Sequence, residues 1–246
     1  LDRELKKQIK EDEILSGVGR LMVWVGAHRD EVRLTTGIVV VLAAVATGVV
    51  WFTSQRRQEA AQAFSEAFAV LGAPVTADLP AGAEKPTGLS FLTSAEKYQK
   101  AAAAFEGIER RYPSLLEGQR ARYFGALARL ELGDSGTAET VLKDIAARRE
   151  AGALEPALAR LALAELYRRG GQLDKAIEGY RQFAGDATVP LPRDYALMSL
   201  GAAQEEAQKP AEAKASYERL LQEFPASVYA QEARRRAEFL ASASAT

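Results

Sequence analysis

The chain of 246 residues has no cysteine, no asparagine, one histidine and two methionines. Without cysteine there are no disulfides, thiolate metal sites or thiol nucleophiles, and the composition is compatible with an oxidising or a reducing compartment. A single histidine excludes His–His metal clusters. His28 stands beside Arg29 and Asp30, just before the longest apolar run, which fits an interfacial polar residue better than a catalyst. An excess of one charge is also lacking: 32 Lys and Arg against 33 Asp and Glu leave a net charge of −1, with the two signs interspersed. No basic field points to nucleic acid. The acidic pairs Glu205 with Glu206 and Glu106 with Glu109 lie at helix-surface spacing amid Lys and Arg, where salt-bridged solvation is the ordinary explanation. No glycine-rich or nucleophilic constellation supports hydrolysis, phosphoryl transfer or redox chemistry. The chain therefore reads as a non-enzyme, with no cofactor, metal or small-molecule substrate.

What the sequence does contain is one run of 22 residues without a charge, Leu34 to Gln55 (LTTGIVVVLAAVATGVVWFTSQ). As a helix it measures roughly 33 Å, enough to cross a hydrocarbon core of about 30 Å. Ten of its residues are Leu, Ile, Val or Phe, each favouring insertion by about 0.3–0.6 kcal/mol at the helix centre. A cleaved signal peptide would have a short basic start and a small-x-small site after its apolar core. Here 33 residues precede the run, and Ala44-Val45-Ala46 lies in its middle. The expectation is a retained anchor, against the alternatives of a signal peptide and a buried core helix. Arg20, Arg29 and Arg33 precede the run, with Arg3, Lys6, Lys7 and Lys10 further out, whereas Arg56 and Arg57 follow it and the next cation is Lys85. This bias predicts a cytoplasmic N-terminus and a C-terminal portion on the far side of the membrane.

The flanks add detail. Leu1 to Glu13 is a solvated charge block in a predicted cytoplasmic tail over residues 1–33. Ile14 to His28 places Ile14, Val18, Leu21, Trp24 and Val25 at helical spacing, an expected in-plane helix or a surface for a partner's membrane helices. Beyond the run, Ala60, Phe64, Phe68 and Leu71 form one helical stripe, so the helix is expected to continue. Gly72 to Thr93 then holds three prolines and three glycines and reads as a flexible loop, completing a 56–93 segment.

From Ser94 onward the chain repeats. Ala101, Ala138, Ala176 and Ala213 are separated by 37, 38 and 37 residues. Four positions later stand Phe105, Leu142, Tyr180 and Tyr217, and three beyond those Ile108, Ile145, Phe183 and Leu220. A small residue followed by large apolar ones at i+4 and i+7 is what the second helix of a hairpin needs to press on the first. Ala126, Ala164 and Gly201 each lie 12 positions before an alignment alanine, allowing close helix approach. Two units close in near-identical phrases, ERRYPSL and LQEFPAS, with helix-stopping Pro113 and Pro225. A last helix from Ser227 to about Leu240, with Val228, Ala233, Ala237 and Leu240 inward, reads as the cap a solenoid requires.

In the units LARLALAELYRRGGQLDKAIEGYRQFA and YALMSLGAAQEEAQKPAEAKASYERLLQEFP the chain resembles the tetratricopeptide repeat family. The resemblance implies an all-α solenoid over residues 94–246, with a degenerate unit at 137–150 and a first hairpin split by the loop. The layout of charged tail, one span, continuing helix and repeat domain resembles the bacterial ancillary SecYEG translocon subunit family. That resemblance implies a chaperone-like or adaptor role beside the translocon, in the inner membrane, with a periplasmic domain and exported or envelope proteins as partners. The alternative is a membrane-tethered scaffold for envelope assembly or cell division without client binding.

Projecting the repeat register puts Arg120, Tyr123 and Leu127 on the concave face from one hairpin, Leu158, Leu161, Glu165 and Arg168 from the next, and Tyr195, Met198, Ala202 and Glu205 from the third. Tyr123, Leu127, Leu161, Tyr195 and Met198 would form an apolar strip with a charged border, suited to an extended or helical apolar peptide. The protein's own helix 56–72 or its loop is the alternative occupant. A carboxylate clamp built on asparagines is unsupported in a chain that has none.

Overall fold

The computed structural model describes Trp24 and residues 26–80, 86–148, 154–186 and 192–243. The expected charge block and most of the expected in-plane helix lie outside these residues. The chain divides into two units, Leu1–Gln58 and Glu59–Thr246.

Helix α1, Arg29–Gly72, begins in the first unit. Its apolar stretch is long enough to cross a membrane and none of it is buried in the structure: Leu42 is 62% exposed and Val50 66%. That distinguishes it from the core helix of a soluble fold. Before it, Trp24 and His28 stack with ring centroids 4.9 Å apart.

The second unit starts with the last turns of α1, where Ala60, Ala67 and Val70 are buried. There follow α2 (Ser94–Arg111), α3 (Leu116–Glu131), α4 (Ser135–Ala146), α5 (Leu154–Arg169), α6 (Leu173–Gly185), α7 (Arg193–Glu206), α8 (Pro210–Glu223) and α9 (Ala230–Ala243). Successive helices from α2 to α9 pack on one another, and α3 also touches α5. This is a stack of helical hairpins, α3 with α4, α5 with α6, and α7 with α8, preceded by α1 with α2 and closed by α9. Among the described residues there is no strand.

The repeat register holds residue by residue. All four alignment alanines are 0% exposed, and the eight large apolar residues that follow them in register are all buried. Close approach is real at the small positions: a Cβ on Gly201 would run into the Tyr217 ring, and one on Gly179 would come within 2.9 Å of the Ala164 Cβ.

The turns repeat as well. At the end of α3, α5 and α7 the residues Gly133, Gly171 and Gln208 take φ of 81°, 70° and 57°. After each, a backbone N–H closes back five residues: Asp134 to the Arg129 carbonyl, Gln172 to Tyr167 and Lys209 to Gln204. This is the Schellman stop, which favours glycine at the left-handed position; the third turn makes it with a glutamine. Two of the second helices, α2 and α8, end instead before proline. Tyr112 and Phe224 share one non-helical conformation, φ −131° and −135° with ψ 49° and 60°, because the pyrrolidine ring of the next residue excludes the helical region.

Two expectations are corrected. Val228 does not face inward: it is 87% exposed, because α9 begins only at Ala230 and the preceding residues are a turn. The 72–93 segment is not a free connector along its length. A parallel bridge joins Val75 and Phe91, the Thr76 N–H donates to the Phe91 carbonyl at 2.8 Å and the Phe91 N–H to Pro74 at 3.1 Å. The cause is apolar: Phe91 is 7% exposed and packs in the same core as Ala73 and Ala101, fixing the end of the segment nearest α2.

Candidate partner-binding site

The first helices of the hairpins carry the residues that the register singled out. Their charged members are engaged in ion pairs between hairpins. Arg120 on α3 donates from Nε to Glu155 on α5 at 3.1 Å. Arg168 on α5 reaches Glu206 on α7 at 2.6 Å, and Glu205 on α7 meets Arg236 on α9 at 3.2 Å. Glu165 accepts from Arg168 and Arg169 on its own helix and from the Tyr180 hydroxyl of α6 at 2.7 Å. Glu205 accepts at 2.6 Å from Tyr217 on α8, the register equivalent of Tyr180. Burial alone would raise the Glu165 carboxyl, but these hydrogen bonds together hold it at about 2. The acidic pairs are engaged too: Glu106 with Arg129 and Glu109 with Arg122, and Glu205 and Glu206 as above.

The apolar members do not form one open strip. Tyr123 is a correction: it is 8% exposed and sits among Leu142, Ala159 and Leu163, where burial pushes its hydroxyl up to about 12. Helix α3 is packed by α2 on one side and by α4 and α5 on another, so adjacent Tyr123 and Phe124 both find neighbours. Leu127 and Leu158 are half-buried beside that cluster. Leu161 and Met198 are half-buried against the C-terminal cluster, and Tyr195 lies beside Tyr229 with ring centroids 6.0 Å apart.

An open apolar site exists further toward the N-terminus. A half-open cavity of about 590 Å³ lies where the end of α1 meets α3 and α5. Phe68, Leu71, Phe124, Leu127 and Leu166 supply its apolar walls, and Glu131, Glu139, Glu165 and Arg169 are its charged lining. Beneath it the rings of Phe64, Phe68, Phe105 and Phe124 touch pairwise at 5.3–6.2 Å. Of the sequence-predicted residues only Leu127 and Glu165 line it. Phe68 and Leu71 belong to the stripe read on the continuing helix, and a first hairpin split by the loop was expected; that this hairpin would wall a cavity was not legible. Phe124 lies one position off the projected strip, next to Tyr123.

A volume of this size with mostly apolar walls and a few charged groups is a recognition site in form, and stacked hairpins that expose their first helices define the class of helical-repeat interaction modules. The chain belongs to the tetratricopeptide repeat-like domain family, whose profile matches residues 30–226. Among solved structures, the TPR-like repeats of a Podosopora anserina kinesin light chain candidate superpose with a TM-score of 0.52 at 15% identity, over 61% of this chain and 80% of that one. A singly substituted form of the same repeats gives 0.51 at the same identity and coverage. At that identity the likeness concerns the fold. No curated protein matches the chain.

Proposed function

We propose that this protein is a single-pass membrane protein whose solenoid, held on the periplasmic side of a bacterial inner membrane, binds protein partners at the secretion translocon as a chaperone-like or adaptor subunit. The observation that carries the partner-binding part is the half-open apolar cavity in a fold of the interaction-module class. Anchoring is supported by the chemistry of α1. Its 22-residue run has no charge, and its hydroxyls turn inward: Thr47 donates to the Ala43 carbonyl at 2.8 Å, Thr53 to Val49 at 2.8 Å and Ser54 to Trp51 at 2.8 Å. Hydroxyls satisfied by their own helix suit a solvent without hydrogen-bonding capacity. Orientation is supported by the Arg and Lys bias before the run, and the translocon by the layout of tail, span and repeat domain.

The absence of cysteine from these 246 residues makes the topology test clean. Val228→Cys, on an exposed turn, should react with a membrane-impermeant thiol reagent in spheroplasts without lysis, and carbonate should leave the protein in the membrane. In the same membranes, a photoreactive residue at Phe68 or Leu127, in the cavity wall, should yield adducts with translocon subunits or newly exported chains. Labelling only after lysis would overturn the orientation, and adducts only with the protein itself would favour a scaffold without clients.

A further inference from the structure

We infer that the cavity between α1, α3 and α5 takes a bulky apolar side chain from a partner segment that carries a lysine or arginine next to that anchor. The inference rests on the reading of the solenoid as a partner-binding module and names the chemistry of the partner. Phe68 is the unfinished part of the aromatic cluster: it meets Phe64 and Phe124 yet remains 49% exposed at the site. An apolar anchor seated there would complete the burial. The charge of the lining selects what flanks the anchor. Of its three carboxylates, Glu139 is paired with Lys143 at 2.7 Å and Glu165 with Arg168 at 2.9 Å, which leaves Glu131 as the one held most loosely. Arg169 is committed to Glu165 at 2.9 Å and reaches Glu131 only at 3.9 Å, with the Glu131 side chain 45% exposed. The Glu131 carboxylate therefore retains capacity for a second cation. An acidic flank would meet the like charge of Glu131, which disfavours that partner relative to a neutral one.

The test uses the full chain in detergent micelles and three fluorescein-labelled peptides of identical length. Each has a central Leu-Phe pair, flanked by Lys, by Gln or by Glu, and binding is read by anisotropy. The Lys peptide should bind about tenfold more tightly than the Glu peptide at low salt, with the gap narrowing at high salt. Glu131→Gln should reduce that preference several-fold while leaving the Gln peptide unchanged. Phe68→Glu, at a half-exposed position that leaves the fold intact by circular dichroism, should abolish binding of all three. Equal or reversed preference, no binding of any peptide, or binding indifferent to Phe68→Glu would overturn the inference. Adducts at Leu127 in cells with a partner segment that lacks Lys and Arg would sink this inference alone and leave the partner-binding reading standing; absence of any partner adduct would sink that reading.

Discussion

The two ends of the solenoid share one repeat period but are sealed by different chemistry. At the N-terminal end the contact of α1, α2 and α3 beside the cavity is made by phenylalanine rings, Phe64, Phe68, Phe105 and Phe124, which offer no hydrogen bond to finish it, although the Tyr112 hydroxyl donates to Glu59 at 3.2 Å elsewhere in that end. At the C-terminal end the corresponding large positions are Tyr180 and Tyr217, whose hydroxyls donate to Glu165 and Glu205, and those carboxylates are in turn held by Arg168, Arg169 and Arg236. Helix α9 then covers the last apolar face with Ala233, Ala237 and Leu240. The difference teaches where a repeat array stays open. Polar-tipped rings lock one hairpin to the next with directional bonds, whereas a cluster of purely apolar rings can leave an edge such as Phe68 uncovered and available to a partner.

The sharpest way to break this contrast is to remove one ring from each end. Phe105→Ala and Tyr217→Ala both empty positions that are 0% exposed, and each should cost about 3–5 kcal/mol in denaturant unfolding of the detergent-solubilised chain. In a stack where each hairpin contacts mainly its neighbours, the two losses should appear locally, in hydrogen exchange of different hairpins. Next in size is an acid effect confined to one network. Glu165 is held at about 2 in the fold against an ordinary 4.5, so the folded state favours its ionised form. Its contribution is present above the ordinary value and is lost as pH falls toward about 2. The denaturation midpoint should therefore drop through that window, and Glu165→Gln should flatten the drop. Tyr180→Phe keeps the ring and removes only its bond to Glu165, with an expected loss of about 1–2 kcal/mol, whereas the N-terminal Phe105→Tyr would add a hydroxyl without a partner there. The smallest effect has the opposite sign. Gln208 occupies the left-handed turn position that Gly133 and Gly171 fill in the other hairpins, so Gln208→Gly should raise stability by about 0.5–1 kcal/mol.

Periodicity made the solenoid legible because burial in a hairpin stack is decided by local spacing. The alanines at 101, 138, 176 and 213 and the apolar residues behind them needed no knowledge of how the hairpins stack. The proline stops after Tyr112 and Phe224 were legible for the same reason: their cause lies in the next residue. Val228 failed because a helix start two residues later turns its side chain off the core. The site was harder to read. Whether Tyr123 points to solvent depends on how closely α4 and α5 approach α3, and the partners of Arg120, Arg168 and Glu205 sit 31 to 38 residues away on other hairpins. The cavity itself needs the hairpin of α1 and α2, split by the 21 residues between Gly72 and Ser94, to close against α3 and α5, which no local spacing encodes.

The measurement closest to the central claim compares the two ends directly. A photoreactive residue is placed at Phe68 or Leu127, beside the open cavity, and in parallel at Tyr195 or Met198, on the sealed end, and adduct yields with other proteins are compared in the same membranes. Strong adducts are expected from Phe68 and Leu127 and weak ones from Tyr195 and Met198. Strong adducts confined to Tyr195 and Met198 would contradict it.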